Sequence, residues 1–306
     1  MAQVVRFDRY GDVDVLDVVE APDPVAGPGQ VVVQVVAAGI NPGEGKIRSG
    51  LLHEVFPATF PSGQGSDLAG RVVGIGEGVS GVAVGDEVLG FTNERASHAT
   101  HVVVPVEQVA PKPAGLSWDV AGSLFVAGTT AFAAVRSVRP EAGDTIVVSG
   151  AAGGVGSLVV QLLRARDVTV IGIAGTGNHE WLRSLGVTPV TYGDGLADRI
   201  RATAPDGVDA FIDLYGPDYV ELAIELGVQP DRIDTIADFA AVAKYGVKAE
   251  GNGAADTIDV VSELADQVVA GKLEVPVAAV YPLADVRAAF TELEHGHTHG
   301  KIVLHP

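Results

Sequence analysis

The sequence predicts an α/β protein in two parts, a partly open β-barrel and a doubly wound parallel sheet. Three observations predict it. Short strand-like runs separated by Gly/Pro turns fill roughly the first 115 of 306 residues. From Asp144 onward, strand and helix patterns alternate. At that change of period stands Asp144-Thr-Ile-Val-Val-Ser-Gly-Ala-Ala-Gly-Gly-Val-Gly-Ser-Leu-Val-Val-Gln-Leu-Leu163, a β-branched run, a glycine-rich turn and a helical repeat in succession.

In chain order, residues 3–7, 13–19 and 30–38 read as strands, with turns at Pro24 and Gly27-Pro-Gly29. Residues 68–76, 87–91, 99–105 and 106–109 continue the series, and many short strands at even spacing suit a compact barrel. Ser117 is a candidate N-cap, and residues 120–138 are apolar on more than one side, as in a buried helix. Strand 145–149 then leads through the glycine turn into helix 157–166. Strand–helix pairs follow at 168–173 with 180–185, 187–191 with 198–203, and 208–214 with 218–226. Residues 232–236 and 245–249 are the last expected strands of this part, before a helix at 256–270. After Gly271 the pattern reverts, with a strand at 277–281, a helix at 284–293 and a strand at 301–304. The chain is expected to return and complete its first domain, giving 1–118 with 273–306 as one domain and 119–272 as the other.

Bulk properties exclude several classes of function. A hydrophobic fraction of 47% is that of a globular protein with a full core. Asp, Arg, Gly or Pro interrupts every apolar run before it reaches membrane-spanning length, and Met1-Ala-Gln-Val-Val-Arg-Phe lacks the layout of a secretory signal. A cytoplasmic location is the expectation. The chain has no cysteine, which removes disulfides and thiolate metal sites. A net charge of −19 argues against nucleic acid and anionic membranes as partners.

The glycine turn carries the first functional reading. Ala151, Gly153 and Gly156 stand where a dinucleotide fingerprint places its three small residues. Gly153 lets the backbone approach a pyrophosphate, and Gly156 lets helix and strand pack closely. The backbone of Ala152, Gly153, Gly154 and Val155, at a helix N-terminus, then offers N–H groups and a positive dipole end to phosphates.

With this fingerprint placed mid-chain after a β-rich part, the sequence resembles the medium-chain dehydrogenase/reductases, within them the zinc-independent quinone oxidoreductase (ζ-crystallin-like) branch. The marks are Ala38-Gly-Ile-Asn-Pro42 with Lys46-Ile-Arg48, Gly65-Ser-Asp-Leu-Ala-Gly70, Val84-Gly-Asp-Glu-Val88, Gly128-Thr-Thr-Ala131, Ala151-Ala-Gly-Gly-Val-Gly156 and Gly300-Lys-Ile-Val303. The resemblance covers essentially the whole chain. It implies a GroES-like barrel as catalytic domain, a Rossmann nucleotide-binding domain, a site in the cleft between them, and a homodimer.

It also bears on metal and cofactor. Zinc-dependent relatives carry a Cys where this chain has Asn41 and a Gly-His-Glu where it has Gly65-Ser-Asp67, so no metal is expected. His98 and His101, and the trio His295, His297 and His299, read as surface or cleft-lining side chains. The end of the second sheet strand, Ile173-Ala-Gly-Thr-Gly-Asn178, has no acid to hold a ribose hydroxyl and repel a 2′-phosphate. Gly175, Thr176, His179 and Tyr192 are the residues expected around that phosphate, with His179 in place of the family's usual Lys. NADP(H) is the expected cofactor. Leu214 and Tyr215, after the fourth strand, and Ala237 and Phe239, after the fifth, are expected at its nicotinamide end.

The expected reaction is reduction of a quinone or an α,β-unsaturated carbonyl by hydride transfer from nicotinamide C4. Asn41, Lys46 and Thr130 are the candidate catalytic residues. Asn41-Pro42 also suits a plain turn, Lys46 a surface charge, and Thr130 a hydroxyl bonded back to its helix. Asp67 reads as structural more than as an acid. The small-molecule acceptor would meet loops near 43–62, 92–100 and 240–253. Two alternatives stay open: a non-catalytic dinucleotide-binding protein, crystallin-like or regulatory, and an enoyl or secondary-metabolite reductase of the same fold.

Overall fold

The computed structural model describes residues 1–306. Along the chain come β1 (Ala2–Phe7), β2 (Asp17–Ala21), β3 (Gln30–Gly39), α1 (Pro42–Arg48), β4 (Ser62–Gly63), β5 (Asp67–Ile75), β6 (Glu87–Phe91), β7 (His101–Pro105) and β8 (Val109–Pro111). Next are α2 (Trp118–Ala121), α3 (Phe125–Ser137), β9 (Thr145–Val148), α4 (Gly156–Arg164), β10 (Thr169–Ile173), α5 (His179–Ser184), β11 (Thr188–Val190), α6 (Leu196–Thr203), β12 (Ala210–Asp213), α7 (Tyr219–Glu225), β13 (Ile233–Thr235) and α8 (Phe239–Tyr245). The last elements are α9 (Ile258–Val269), β14 (Val277–Pro282), α10 (Val286–Glu294) and β15 (Lys301–His305). No helix is long and apolar enough to cross a membrane. The chain divides into two compact units, Met1–Val126 with Thr257–Pro306, and Ala127–Asp256.

The first unit is the β-rich one. A three-stranded sheet, β2-β1-β4, accompanies a larger one of order β14-β15-β3-β5-β6-β8, with β7 also paired to β3. β3 is the organising strand. Its alternating valines bury Val31, Val33 and Val35 among Leu68, Val72, Val88 and Val104. Its last residues pair antiparallel with β15, Gly39 opposite Val303 and Ala38 opposite Leu304. Phe7, Leu16, Phe290 and Leu304 form a second core under α10.

The second unit is a five-stranded sheet of order β11-β10-β9-β12-β13, every pair parallel. Its central strands β9, β10 and β12 are buried on both faces and read as near-continuous apolar runs, as in doubly wound sheets. Val147, Ile171, Phe211 and Ile233 lie in one core. β9 sits between β10 and β12, which places the switch in strand order beside the glycine turn.

Four local expectations are corrected. Residues 13–19 are not one strand: Val13–Val15 is a 3₁₀ turn ahead of β2. Consecutive Val15 and Leu16 are both buried, which an alternating strand cannot arrange on one face. The region expected as loop after Asn41 begins with helix α1, whose Pro42 at the first helical position and Glu44 two residues later are start signals that Gly43 and Gly45 obscured. Residues 120–138 are two helices, split where the Gly122 carbonyl accepts the Gly39 N–H at 2.6 Å. Residues 245–249 form no strand: Tyr245 ends α8, Gly246 caps it in the left-handed conformation, and only an isolated bridge joins Lys248 to Asp234.

Candidate active site

In the second unit, the carboxyl ends of the strands carry the nucleotide fingerprint. After β9 the chain turns through Gly150, whose carbonyl accepts the Gly153 N–H at 3.0 Å. Any side chain on Gly156 would collide with that same carbonyl, so the third small residue is what lets α4 start here. Gly153, Gly154 and Val155 are half-exposed, and Val155 at the N-cap offers no side chain to the first-turn amides. The Ser157 and Leu158 N–H groups donate to the Gly153 and Val155 carbonyls, which leaves Gly154, Val155 and Gly156 to present theirs at the positive dipole end.

Beyond β10, the half-buried Gly175 and exposed Thr176 open a 3₁₀ turn. The Tyr192 hydroxyl lies 3.6 Å from where a Gly175 side chain would begin. His179 turns back, its Nε2 3.2 Å from the Ala174 carbonyl, and because a carbonyl only accepts, Nε2 carries the proton. Tyr215 and Tyr219 meet edge to face at 5.7 Å. Burial first, then Tyr215, Asp213 and Tyr192, push the Tyr219 phenol above its ordinary pKa. Leu214 lies against Gly150, and Ala237 against Gly216. Phe239 and Tyr215 are exposed aromatics on this edge. At its middle, the buried Asp213 carboxylate joins Ser149 (2.6 Å) and Thr235 (2.7 Å).

In the first unit, β3 delivers Asn41 to a buried polar cluster. The Asn41 amide donates to Asp67 Oδ2 at 2.6 Å and to Glu44 Oε1 at 3.3 Å, while its Oδ1 accepts from Lys301 Nζ at 2.5 Å. Lys301 also donates to the Ile40 carbonyl at 3.1 Å. Asp67 Oδ1 accepts the Val126 N–H at 2.9 Å. Glu44 accepts the N–H groups of Asn41 at 2.9 Å and Ser66 at 3.1 Å. Two carboxylates thus share one amide, whose oxygen in turn holds a buried ammonium. Burial, and then Asp67, push the Glu44 carboxyl up to about 7. His98 is buried beside it, Nε2 3.2 Å from the Gly39 carbonyl, and burial pushes its imidazole down to about 4.

The structure therefore gathers the expected cofactor residues along one sheet edge and places Asn41 in a buried network with its amide fully engaged. Lys46 lies on α1 with its side chain half-exposed. Thr130 is buried within α3. His98 and His101 do not converge on one point: the first bonds a carbonyl, the second its neighbour Thr100. No group of three or more His, Cys, Asp or Glu side chains is arranged to hold a metal ion. Sequence reasoning missed Glu44, Lys301, Ser149, Asp213 and Thr235 as members of these clusters. A lysine opening the apolar run Ile302-Val-Leu304 was a legible sign of a buried charge. So were polar residues closing three adjacent apolar strands.

Comparison with known proteins gives this arrangement its place. Residues 27–138 match the alcohol dehydrogenase GroES-like domain, and residues 185–304 match a family described as zinc-binding dehydrogenase. The chain is 31% identical over 320 residues to a 2-methylene-furan-3-one reductase of Solanum lycopersicum, covering 98% of this chain and 78% of that protein. It is 30% identical over 315 residues to a chloroplastic NADPH-dependent alkenal/one oxidoreductase of Arabidopsis thaliana, with the same coverage of 98% and 78%. The structure of a quinone oxidoreductase from Coxiella burnetii matches with a TM-score of 0.89 at 29% identity, covering 100% of this chain and 99% of that one. The chain belongs to the medium-chain dehydrogenase/reductase family, built as a GroES-like unit and a Rossmann unit, and is an oxidoreductase of the quinone oxidoreductase type.

Proposed function

We propose that the protein is an NADPH-dependent reductase of quinones or α,β-unsaturated carbonyls that works without zinc. The observation that carries the reading is the acid-free end of β10. Thr176 is exposed there, and the Tyr192 hydroxyl stands over Gly175, so a 2′-phosphate meets hydroxyl donors and no carboxylate. The Arabidopsis relative, named for NADPH and for alkenals, agrees with it.

A catalytic zinc does not fit the first unit. It needs three strong ligands and an open position. Asn41 already binds an ammonium through Oδ1 and both carboxylates through its amide, and Asp67 has both oxygens in hydrogen bonds. Lys301 supplies the buried positive charge of this cluster.

When bound, the dihydronicotinamide supplies a hydride to the acceptor carbon. The chain's part is to hold and to polarise. Gly154 and Val155 bind the pyrophosphate through backbone N–H groups, and Gly153, without a side chain, lets it come close. Thr176 and Tyr192 donate to the 2′-phosphate, while Leu214, Tyr215, Ala237 and Phe239 hold the nicotinamide end. Thr130 stays in the proposal as a residue near the ring. Lys46 is assigned to the acceptor oxygen on which charge builds, and Asn41 keeps the start of α1 in place for it. Solvent delivers the closing proton, giving a hydroquinone or a saturated carbonyl. The homodimer implied by the resemblance is proposed with it and is checked by light scattering.

The test follows absorbance at 340 nm with NADPH or NADH against a panel of quinones and enones, with and without a chelator. Oxidation of NADPH with one acceptor class, unchanged by the chelator, supports the reading. Equal rates with NADH would sink the assignment of Thr176 and Tyr192, and loss of activity with the chelator would sink the zinc-free one.

A further inference from the structure

We infer that Asp213 is the positioning residue for the nicotinamide end of the cofactor, acting as the common acceptor that sets three loops at once. The inference rests on the nicotinamide-dependent reading above and names a residue that reading did not need.

The geometry has a direction. Asp213 ends β12 fully buried, and its Oδ1 accepts from the Ser149 hydroxyl (2.6 Å), the Tyr215 N–H (3.0 Å) and the Gly216 N–H (3.1 Å). Its Oδ2 accepts from the Thr235 hydroxyl at 2.7 Å. Each hydroxyl collects further donors. Ser149 Oγ accepts the Leu214 N–H at 2.9 Å, and Thr235 Oγ1 accepts the N–H groups of Ala237 at 3.2 Å and Asp238 at 3.0 Å. Every proton in the network therefore points towards the carboxylate. Seven donors from the ends of β9, β12 and β13 are satisfied, directly or at one remove, by its two oxygens. Leu214, Tyr215 and Ala237, three residues proposed to touch the cofactor, take their backbone positions from it. Asp238 in turn caps α8, its carboxylate accepting the Ala241 N–H at 3.1 Å, so Phe239 begins that helix at a fixed place.

Only a charged double acceptor closes such a network. An asparagine keeps the oxygen that serves Ser149, Tyr215 and Gly216. Its NH₂ then confronts Thr235 Oγ1, which already accepts two N–H groups and must donate its own proton. One donor is left buried and unpaired whichever way the amide turns, and relieving it moves the 236–239 loop. The fingerprint turn at 151–156 and the Thr176–Tyr192 end lie outside the network, so the adenosine half of the cofactor should not sense the change.

The experiment compares wild type, Asp213→Asn and Thr235→Val for binding of NADPH and of 2′,5′-ADP, which lacks the nicotinamide half. It adds the fluorescence of bound NADPH and steady-state kinetics. Asp213→Asn is expected to weaken NADPH about tenfold while 2′,5′-ADP affinity stays within about twofold. The fluorescence gain of bound NADPH should fall and KM for NADPH should rise, with KM for the acceptor unchanged. Thr235→Val keeps the volume and removes one arm, so a loss of about threefold, confined to NADPH, is expected even where Asp213→Asn folds poorly. Equal loss of both ligands would mark Asp213 as a structural residue and overturn the inference. NADPH binding by both variants as tight as wild type would overturn it while leaving the proposed function intact. Wild type that binds NADPH no more tightly than 2′,5′-ADP, with no fluorescence gain, would overturn the cofactor reading and this inference together.

Discussion

Glu44 shows how much one buried carboxyl changes the behaviour of its neighbourhood. Pushed up to about 7 by burial and by Asp67, it binds its proton more tightly in the folded chain than in the unfolded one. Its contribution to stability is therefore full below about pH 4.5 and lost as the pH rises to about 7. His98, held at about 4 by burial, acts in the opposite sense, with stability lost as the pH falls from 6.5 towards 4. Glu44→Gln removes the first effect and leaves the second. Wild type should lose about 3 kcal/mol relative to that variant between pH 4.5 and 7, read from urea midpoints. A difference independent of pH would mean that Glu44 titrates as an ordinary surface carboxylate. Lys301→Met leaves two carboxyls buried with no cation and should cost about 3 kcal/mol at pH 8, measured by the same unfolding. On the kinetic side, Lys46→Met should lower kcat by about 10–100-fold with the KM for NADPH unchanged, if its ammonium meets the acceptor oxygen. Asn41 was legible in the sequence as a candidate, and the structure places it in a buried polar network. Its partners were not legible, because Glu44, Asp67 and Lys301 are separated by 23 and 234 positions, and burial, not residue type, makes them a cluster.

Among the elements, those defined by local pattern were readable and those defined by tertiary contact were less so. The alternation of β9 through β13 with their helices announced a parallel sheet, and the glycine turn announced its ligand edge. Helix α1 was hidden because Gly43 and Gly45 lower helix propensity, whereas Pro42, Glu44 and burial against α10 supply what propensity withholds. α8 was hidden for a related reason: its short run is held by the Asp238 cap and by Gly246, the second of which was read as part of a strand at 245–249. The start of α4 gives the sharpest prediction at this scale. Gly156→Ala forces a methyl onto the Gly150 carbonyl, so the helix must withdraw from the turn. Affinity for NADPH, measured by titration of its fluorescence, should fall at least about tenfold, and 2′,5′-ADP should lose as much. That pattern separates it from Asp213→Asn, which spares the adenosine half.

For the molecule as a whole, the pattern suggested a return of the chain after Gly271, whereas the first compact unit takes it back from Thr257 and so includes α9 as well as β14, α10 and β15. The pairing itself could not be read: β15 adds to β3 across more than 260 positions, and no local signal encodes such a partner. Deleting residues 301–306 removes the buried Ile302, Val303 and Leu304 together with Lys301. At about 1.5–3 kcal/mol for each apolar side chain, the loss rivals the whole stability of an ordinary domain. The truncated chain should be cut within residues 1–126 by low protease concentrations that leave the full chain intact. The discontinuity of that unit also matters before the protein is finished. Ala127–Asp256 is contiguous and meets all its partners once it has left the ribosome, whereas Met1–Val126 must wait for Thr257–Pro306. In the interval, β3 leaves the ribosome with its apolar residues made and the edge beside Gly39 unpaired. Completion of the first unit thus comes last although its larger segment is made first, and until then the bare edge of β3 is the part of the nascent chain open to wrong pairing.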